Sequence, residues 1–308
     1  MRVLVTGGSG FIGSHVVDRL LAREHEPVIL DTTPSPHHPW VTAVVGDLTH
    51  PETVLGAARD VDAIIHLAAV ADVNDVFADP VRAGAVNVHG TQMVLEAARH
   101  ENIGHVVYAS TVWVYGNAPV DGDLDEDAPL AHPAHVYTAT KLAGEMYCNA
   151  YRELYGVEST ILRFGIPYGP RARPAAVIPS FVARAQQGDA LTIAGDGNQT
   201  RQFVYVEDLA EGVVVALEQA SSGRVYNLVG DEETSVRQIA DTVRTVVGDV
   251  PVVHGPERPA DVRLGRVSGA RAAADLGWTA STNFADGVRR YVDWLSIADR
   301  LSVPVARA

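Results

Sequence analysis

An α/β fold, with a doubly wound parallel sheet and a smaller C-terminal substrate-binding lobe, is what this 308-residue sequence predicts, on three observations. Short apolar runs alternate with helical patterns through the first half of the chain. A glycine-rich turn, GGSGFIG, follows the first of those runs directly. After about residue 165 the pattern loosens into Pro- and Gly-rich loops such as GIPYGPRARP and AGDGNQ.

The runs RVLVTG (2–7), PVILD (27–31), VTAVVGD (41–47), AIIHLA (63–68), HVVYAST (105–111) and STILRF (159–164) read as strands. Their near-continuous apolar character predicts burial on both faces, so helices cover both sides of the sheet. The expected division is a dinucleotide-binding domain over 1–165, rejoined by 200–220, and a substrate lobe formed mainly by 166–199 and 221–308. In such a sheet ligands bind beyond the carboxyl ends of the strands.

Composition narrows the function classes. Hydrophobic residues make up 47% and charged residues 20%, the balance of an ordinary globular chain. A net charge of -14 without basic blocks opposes nucleic acid and anionic membranes as partners. No run approaches a membrane span, and the N-terminus turns to glycine too early for a secretory signal, so a cytoplasmic protein is expected. Cys148, the sole cysteine, is expected to be a packed thiol, and the pairs His37/His38 and His132/His135 lack the partners of a metal site. The acidic run DGDLDED (121–127) reads as a solvated loop.

GGSGFIG places Gly7, Gly10 and Gly13 between a strand and a helix start. Gly7 permits the tight turn, Gly10 lets a pyrophosphate approach the backbone, and Gly13 allows close packing of helix on strand. Asp31 ends the second strand, where a carboxylate accepts from ribose hydroxyls and repels a 2′-phosphate. NAD is therefore expected rather than NADP.

Tyr137 and Lys141 lie four apart in a segment of helical character, on one face about a turn apart. Of 24 basic residues Lys141 is the only lysine. A compact ammonium can sit beneath a phenol and also bond ribose hydroxyls, which a wide guanidinium does less well. For the phenol to act as a base near pH 7 its pKa must fall by roughly 3 units, about 4 kcal/mol.

Together GGSGFIG, Asp31, GDL (46–48), HLAA (66–69), NVHGT (87–91), STVWVYG (110–116), YTATK (137–141) and GDGNQTRQFVYVEDLA resemble the extended short-chain dehydrogenase/reductases that act on nucleotide sugars. The resemblance implies a Rossmann-type fold holding NAD, with Tyr137 as acid/base, Lys141 as its electrostatic partner and Thr111 hydrogen-bonded to the sugar oxygen. It implies cofactor contacts from Phe11 and Ile12 in the glycine turn, Asp47 and Leu48 in GDL, and Leu67, Ala68 and Ala69 in HLAA, with Asp47 at the adenine. Arg201 and Arg258 are implied on the nucleotide diphosphate. In the related 4,6-dehydratases an Asp-Glu pair follows the threonine, whereas Val112 and Trp113 stand here. Side chains that cannot move a proton cannot eliminate water, so a 4-epimerase is expected, acting on UDP-glucose/UDP-galactose or UDP-glucuronate/UDP-galacturonate. A dehydratase or 4-ketoreductase, and a non-catalytic NAD-binding regulator, are the alternatives.

The sequence departs from the resemblance at Ile166, which stands where the family often has an asparagine before Tyr-Gly-Pro. Arg171 and Arg173 in PRARP are similar to the segment of uronate epimerases that could pair with a C6 carboxylate. By family analogy, helical segments at 91–101 and 139–154 pair with a second copy in a homodimer.

Overall fold

The computed structural model describes residues 1–116, 122–219, 222–256 and 265–302. Its centre is a seven-stranded sheet of β1 (Arg2–Thr6), β2 (Glu26–Asp31), β3 (Ala43–Val45), β4 (Ala63–His66), β5 (His105–Thr111), β6 (Ser159–Phe164) and β10 (Val225–Leu228). The order is β10-β6-β5-β4-β1-β2-β3, and every pairing is parallel. Strand order therefore reverses between β1 and β4, which opens a crevice at their carboxyl ends.

Alternate side chains of each strand enter different cores. Val3 and Val5 of β1, with Val107 and Ala109 of β5, pack beneath α1 (Phe11–Ala22), α8 (Val206–Gln219) and α10 (Ala270–Leu276). Leu4, Val106 and Tyr108 pack on the other face, against α2 (Pro51–Ala57), α5 (Gly90–Glu101) and α6 (Val136–Tyr155). Cys148 is wholly buried in that second core, and burial pushes its thiol up to about 12, so it packs as a small apolar group. A π-helical turn, Ala85–His89, precedes α5, and the short helices α3 (Val73–Ala78) and α4 (Pro80–Gly84) lead into it.

The smaller lobe has its own core, built by α7 (Val177–Gln186), α9 (Val236–Val247), α11 (Phe284–Ser302) and two small sheets. One sheet orders β11 (Glu233–Ser235), β9 (Thr200–Tyr205) and β7 (Ile166–Tyr168); the other pairs β12 (Val252–Gly255) with β8 (Leu191–Ala194).

Three expectations change. The boundary drawn at residue 221 is too early, because β10 joins the main sheet beside β6 and Ala272, Leu276 and Trp278 enter its core. Four residues at a sheet edge carry no periodicity that distinguishes them from a loop. The third strand covers 43–45 rather than 41–47. Within the acidic run, Glu126 is not solvated: its Oε1 accepts from Asn227 N at 2.7 Å and its Oε2 faces Arg271 at 3.5 Å. The run is stitched to the chain around Val267, with Leu124 N donating to Arg266 O and Ser268 N to Leu124 O.

Candidate active site

The glycine turn shows why positions 7 and 13 carry no side chain. Gly7 has φ +74°, and a Cβ there would lie 2.8 Å from Ala68 N; a Cβ on Gly13 would lie 2.1 Å from Gly7 O. Backbone thus meets backbone between the β1 turn, the start of α1 and the segment after β4, leaving the N-terminus of α1 free for a phosphate. Asp31, at the end of β2, accepts from Ser9 N at 3.1 Å and Thr33 N at 3.3 Å, which aims its carboxylate at the mouth of the turn. Asp47 is held by Thr49 N and Oγ1, both at 2.9 Å; these bonds keep its carboxyl below the usual range. A dinucleotide with free ribose hydroxyls fits this cradle: the pyrophosphate seat needs no Cβ, and the ribose end offers an acceptor.

Tyr137 and Lys141 occupy the first two turns of α6, which crosses beside the end of β5. Lys141 is 4% exposed, its Nζ donates to Ala109 O at 2.8 Å, and it lies 5.2 Å from the centroid of the Tyr108 ring. Burial pushes this ammonium down to about 8. Burial likewise pushes the Tyr137 phenol up to about 12, with Arg173 pulling the other way. The lowered phenol expected from the sequence is therefore not a property of the chain alone. Lys141 spends one N–H on a carbonyl, and desolvation outweighs it.

Thr111 ends β5, with its Oγ1 accepting from Trp113 N at 3.3 Å. Among the described residues no acceptor takes its own proton. Val112 and Trp113 begin a 3₁₀ turn, Val112–Tyr115; Val112 is buried, and the Trp113 ring lies 5.2 Å from the Arg201 guanidinium. These side chains line a narrow pocket with Ile166, Gln202 and Val229.

Arg171, expected to face a substrate carboxylate, is paired within the chain here: its Nη1 donates to Asp18 Oδ2 on α1 at 2.7 Å. There it is joined by His38, whose Nε2 lies 2.6 Å from Asp18 Oδ1, so a nearer carboxylate has taken its charge. His15 fixes the preceding carbonyl, Nε2 to Pro170 O at 2.9 Å. Arg173 pairs with Asp72, the N-cap of α3. Arg258 lies outside the described residues.

Sequence reasoning missed the supports. Glu145 of α6 takes Arg163 Nη2 at 2.7 Å and Nε at 3.0 Å and also binds Ser110 Oγ, all buried beneath Thr111. Glu145 falls four residues after Lys141, on the same helix face, which was the available signal. Among the described residues no cluster suited to a metal ion exists, and no helix is long and apolar enough to cross a membrane.

A dinucleotide cradle at the switch point of a parallel sheet, opening onto a Tyr-x-x-x-Lys helix whose lysine is buried, defines a nicotinamide-dependent enzyme acting on an alcohol or its ketone. The chain belongs to the NAD dependent epimerase/dehydratase family, whose sequence model matches residues 3–229, and NAD is its cofactor. It is 36% identical to the UDP-glucose 4-epimerase of Mycolicibacterium smegmatis, over 96% of this chain and 98% of that one. It is 32% identical to the dTDP-glucose 4,6-dehydratase of Streptomyces antibioticus, over 96% and 92% of the two chains. The crystal structure of Thermus thermophilus UDP-glucose 4-epimerase with NAD superposes with a TM-score of 0.88 at 34% identity, covering 98% of this chain and all of that one.

Proposed function

We propose that this protein is a nucleotide-sugar 4-epimerase, with UDP-glucose and UDP-galactose as its substrate pair. The observation that carries the reading is the pair Val112 and Trp113. Where the related dehydratases place two carboxylates beside the sugar, this chain has one buried aliphatic and one indole under a guanidinium. Neither can take a proton or protonate a leaving hydroxyl, so dehydration lacks its acid and base. The similarity to UDP-glucose 4-epimerases supports the same choice.

Tyr137 takes the proton of the C4 hydroxyl as the C4–H bond breaks, and returns it after the ketone has turned its other face. Bound NAD supplies the acceptor, then the donor, of the C4 hydride. Thr111 donates its proton to the C4 oxygen and holds it in line. Bringing a phenol from about 12 to the neutral range requires roughly 7 kcal/mol of differential stabilisation, at 1.36 kcal/mol per pKa unit. Lys141 provides part of it by turning an N–H toward the phenolate and the ribose. Gly7, Gly10, Gly13, Phe11 and Ile12 seat the pyrophosphate, Asp31 the ribose, Asp47 and Leu48 the adenine, and Leu67, Ala68 and Ala69 wall the crevice. Arg201 and Arg258 bind the nucleotide diphosphate.

A hexuronate substrate has one observation in its favour, the Arg173 charge acting on Tyr137. Comparable rates on UDP-glucose and UDP-glucuronate would remove it. A homodimer through α5 and α6 accounts for the exposed Met146, Leu154 and Tyr155 on α6, and sedimentation tests it. For the reaction itself, proton NMR of UDP-glucose with the purified protein and no added cofactor should show UDP-galactose growing to equilibrium. Tyr137→Phe should lower that rate by about three decades or more. A 4-keto product, or a demand for added reduced cofactor, would overturn the epimerase reading.

A further inference from the structure

His66 closes β4 as the first residue of HLAA and is 2% exposed, with a hydrogen bond on each ring nitrogen. The bonds around it determine where its proton sits. Thr91 Oγ1 lies 2.7 Å from Asn87 O, a carbonyl that can only accept, so the Thr91 proton is spent there. Thr91 must then accept from His66 Nε2, 2.9 Å away, and Nε2 carries a hydrogen. On the other side Thr6 Oγ1 accepts from Ala68 N at 3.2 Å and turns its own proton to His66 Nδ1 at 2.7 Å. Nδ1 is the lone-pair side. A second ring proton would strand the Thr6 hydroxyl proton in a buried site, and burial with the Lys141 charge pushes the ring down to about 3.

The ring touches both halves of the candidate site. Through Thr6 it holds Ala68 N, the atom that lies 2.8 Å from where a Gly7 Cβ would be. Its face lies 5.7 Å from the Tyr108 ring, and Tyr108 in turn donates to Lys141 O at 3.2 Å and lies beneath Lys141 Nζ. Beyond Thr91, the Asn87 side chain accepts from Val70 N at 2.7 Å and donates to Thr140 Oγ1 at 3.0 Å, and Thr140 donates to Tyr137 O at 2.7 Å. The groups facing His66 are thus Thr6 on β1, Tyr108 on β5, Thr91 on α5 and the Lys141 charge on α6.

We propose that His66, protonated on Nε2 alone, is a positioning residue that holds the cofactor wall at Ala68 and the Tyr108 platform of Lys141 in one register. An uncharged ring is required, because a second cation behind Tyr108 would work against the Lys141 ammonium. The inference rests on Lys141 being half of the reacting pair.

Three measurements test it. Nitrogen-15 NMR of histidine-labelled protein should show a pyrrole-type Nε2 and a pyridine-type Nδ1 for His66, unchanged from pH 8 to pH 5.5. The other tautomer, or a doubly protonated ring, overturns the proposal. His66→Leu should weaken NAD binding by about tenfold and lower kcat with little change in KM, the size expected of a buried polar group left unpaired. His66→Gln, whose amide offers one acceptor and one donor, should restore both to within about threefold. NAD binding by His66→Leu equal to wild type overturns the proposal. Should His66→Leu not fold, Thr91→Val, which removes the Nε2 acceptor together with the Thr91 bond to Asn87 O, takes its place with at least the same expected loss. If instead Tyr137→Phe keeps full activity, the reaction assignment fails while the NMR and NAD-binding results on His66 stand.

Discussion

Mild acid should destabilise this protein through two buried histidines. His15 sits under the Pro170 carbonyl, and burial pushes it down to about 4; His66 is pushed down to about 3. Neither takes a proton in the folded state at pH 5, whereas an unfolded histidine at 6.5 does. Stability is therefore present at neutral pH and is lost as pH falls below 6.5. Between 6.5 and 5 each group contributes about 1.5 pH units at 1.36 kcal/mol, roughly 2 kcal/mol, and the two together about 4 kcal/mol. That is a large share of the 5–15 kcal/mol typical of folded proteins. Carboxylates held low, such as Asp18 and Asp47, act only below about 4, since their contribution is full above the unfolded value. Glu126, raised by burial, offsets part of the loss. Urea unfolding at pH 7.5 and pH 5 reads the difference directly. His15→Gln, whose amide can still donate to Pro170 O, should lose about 2 kcal/mol less than wild type over that interval. A wild-type loss under about 1 kcal/mol, or an equal loss in His15→Gln, would refute the reasoning.

Other outcomes follow from the same geometry. Gly13→Ala forces a Cβ to within 2.1 Å of Gly7 O, so the glycine turn must open; NAD affinity by calorimetry should fall by about a hundredfold, and an unchanged affinity would contradict the cradle. Asp31→Ala removes the ribose acceptor and should weaken NAD while improving NADP relative to it, as titration of both cofactors will read. Glu145→Ala leaves the Arg163 guanidinium buried without its carboxylate and should cost about 3–5 kcal/mol in urea unfolding; the paired change Glu145→Met with Arg163→Met should cost much less.

Local pattern in the chain was enough to specify the sheet, the glycine turn and the shared helix face of Tyr137 and Lys141, because each is set by near neighbours. Six strands read from apolar runs are six strands of the main sheet, and Gly7 and Gly13 of GGSGFIG meet backbone contacts that exclude a Cβ. Tyr137 and Lys141 share a helix face by spacing alone. Packing settled what depends on residues far apart in the chain. Asp18 and Arg171 are 153 positions apart, so no window shows that the arginine is already compensated. The short strand at 225–228 acquires its identity only from β6 beside it. Glu126 looked solvated among acids until Asn227 and Arg271 closed over it. The pKa values of Tyr137 and Lys141 were likewise beyond reach, because burial outweighs the charge between neighbours and burial is a property of the packed whole.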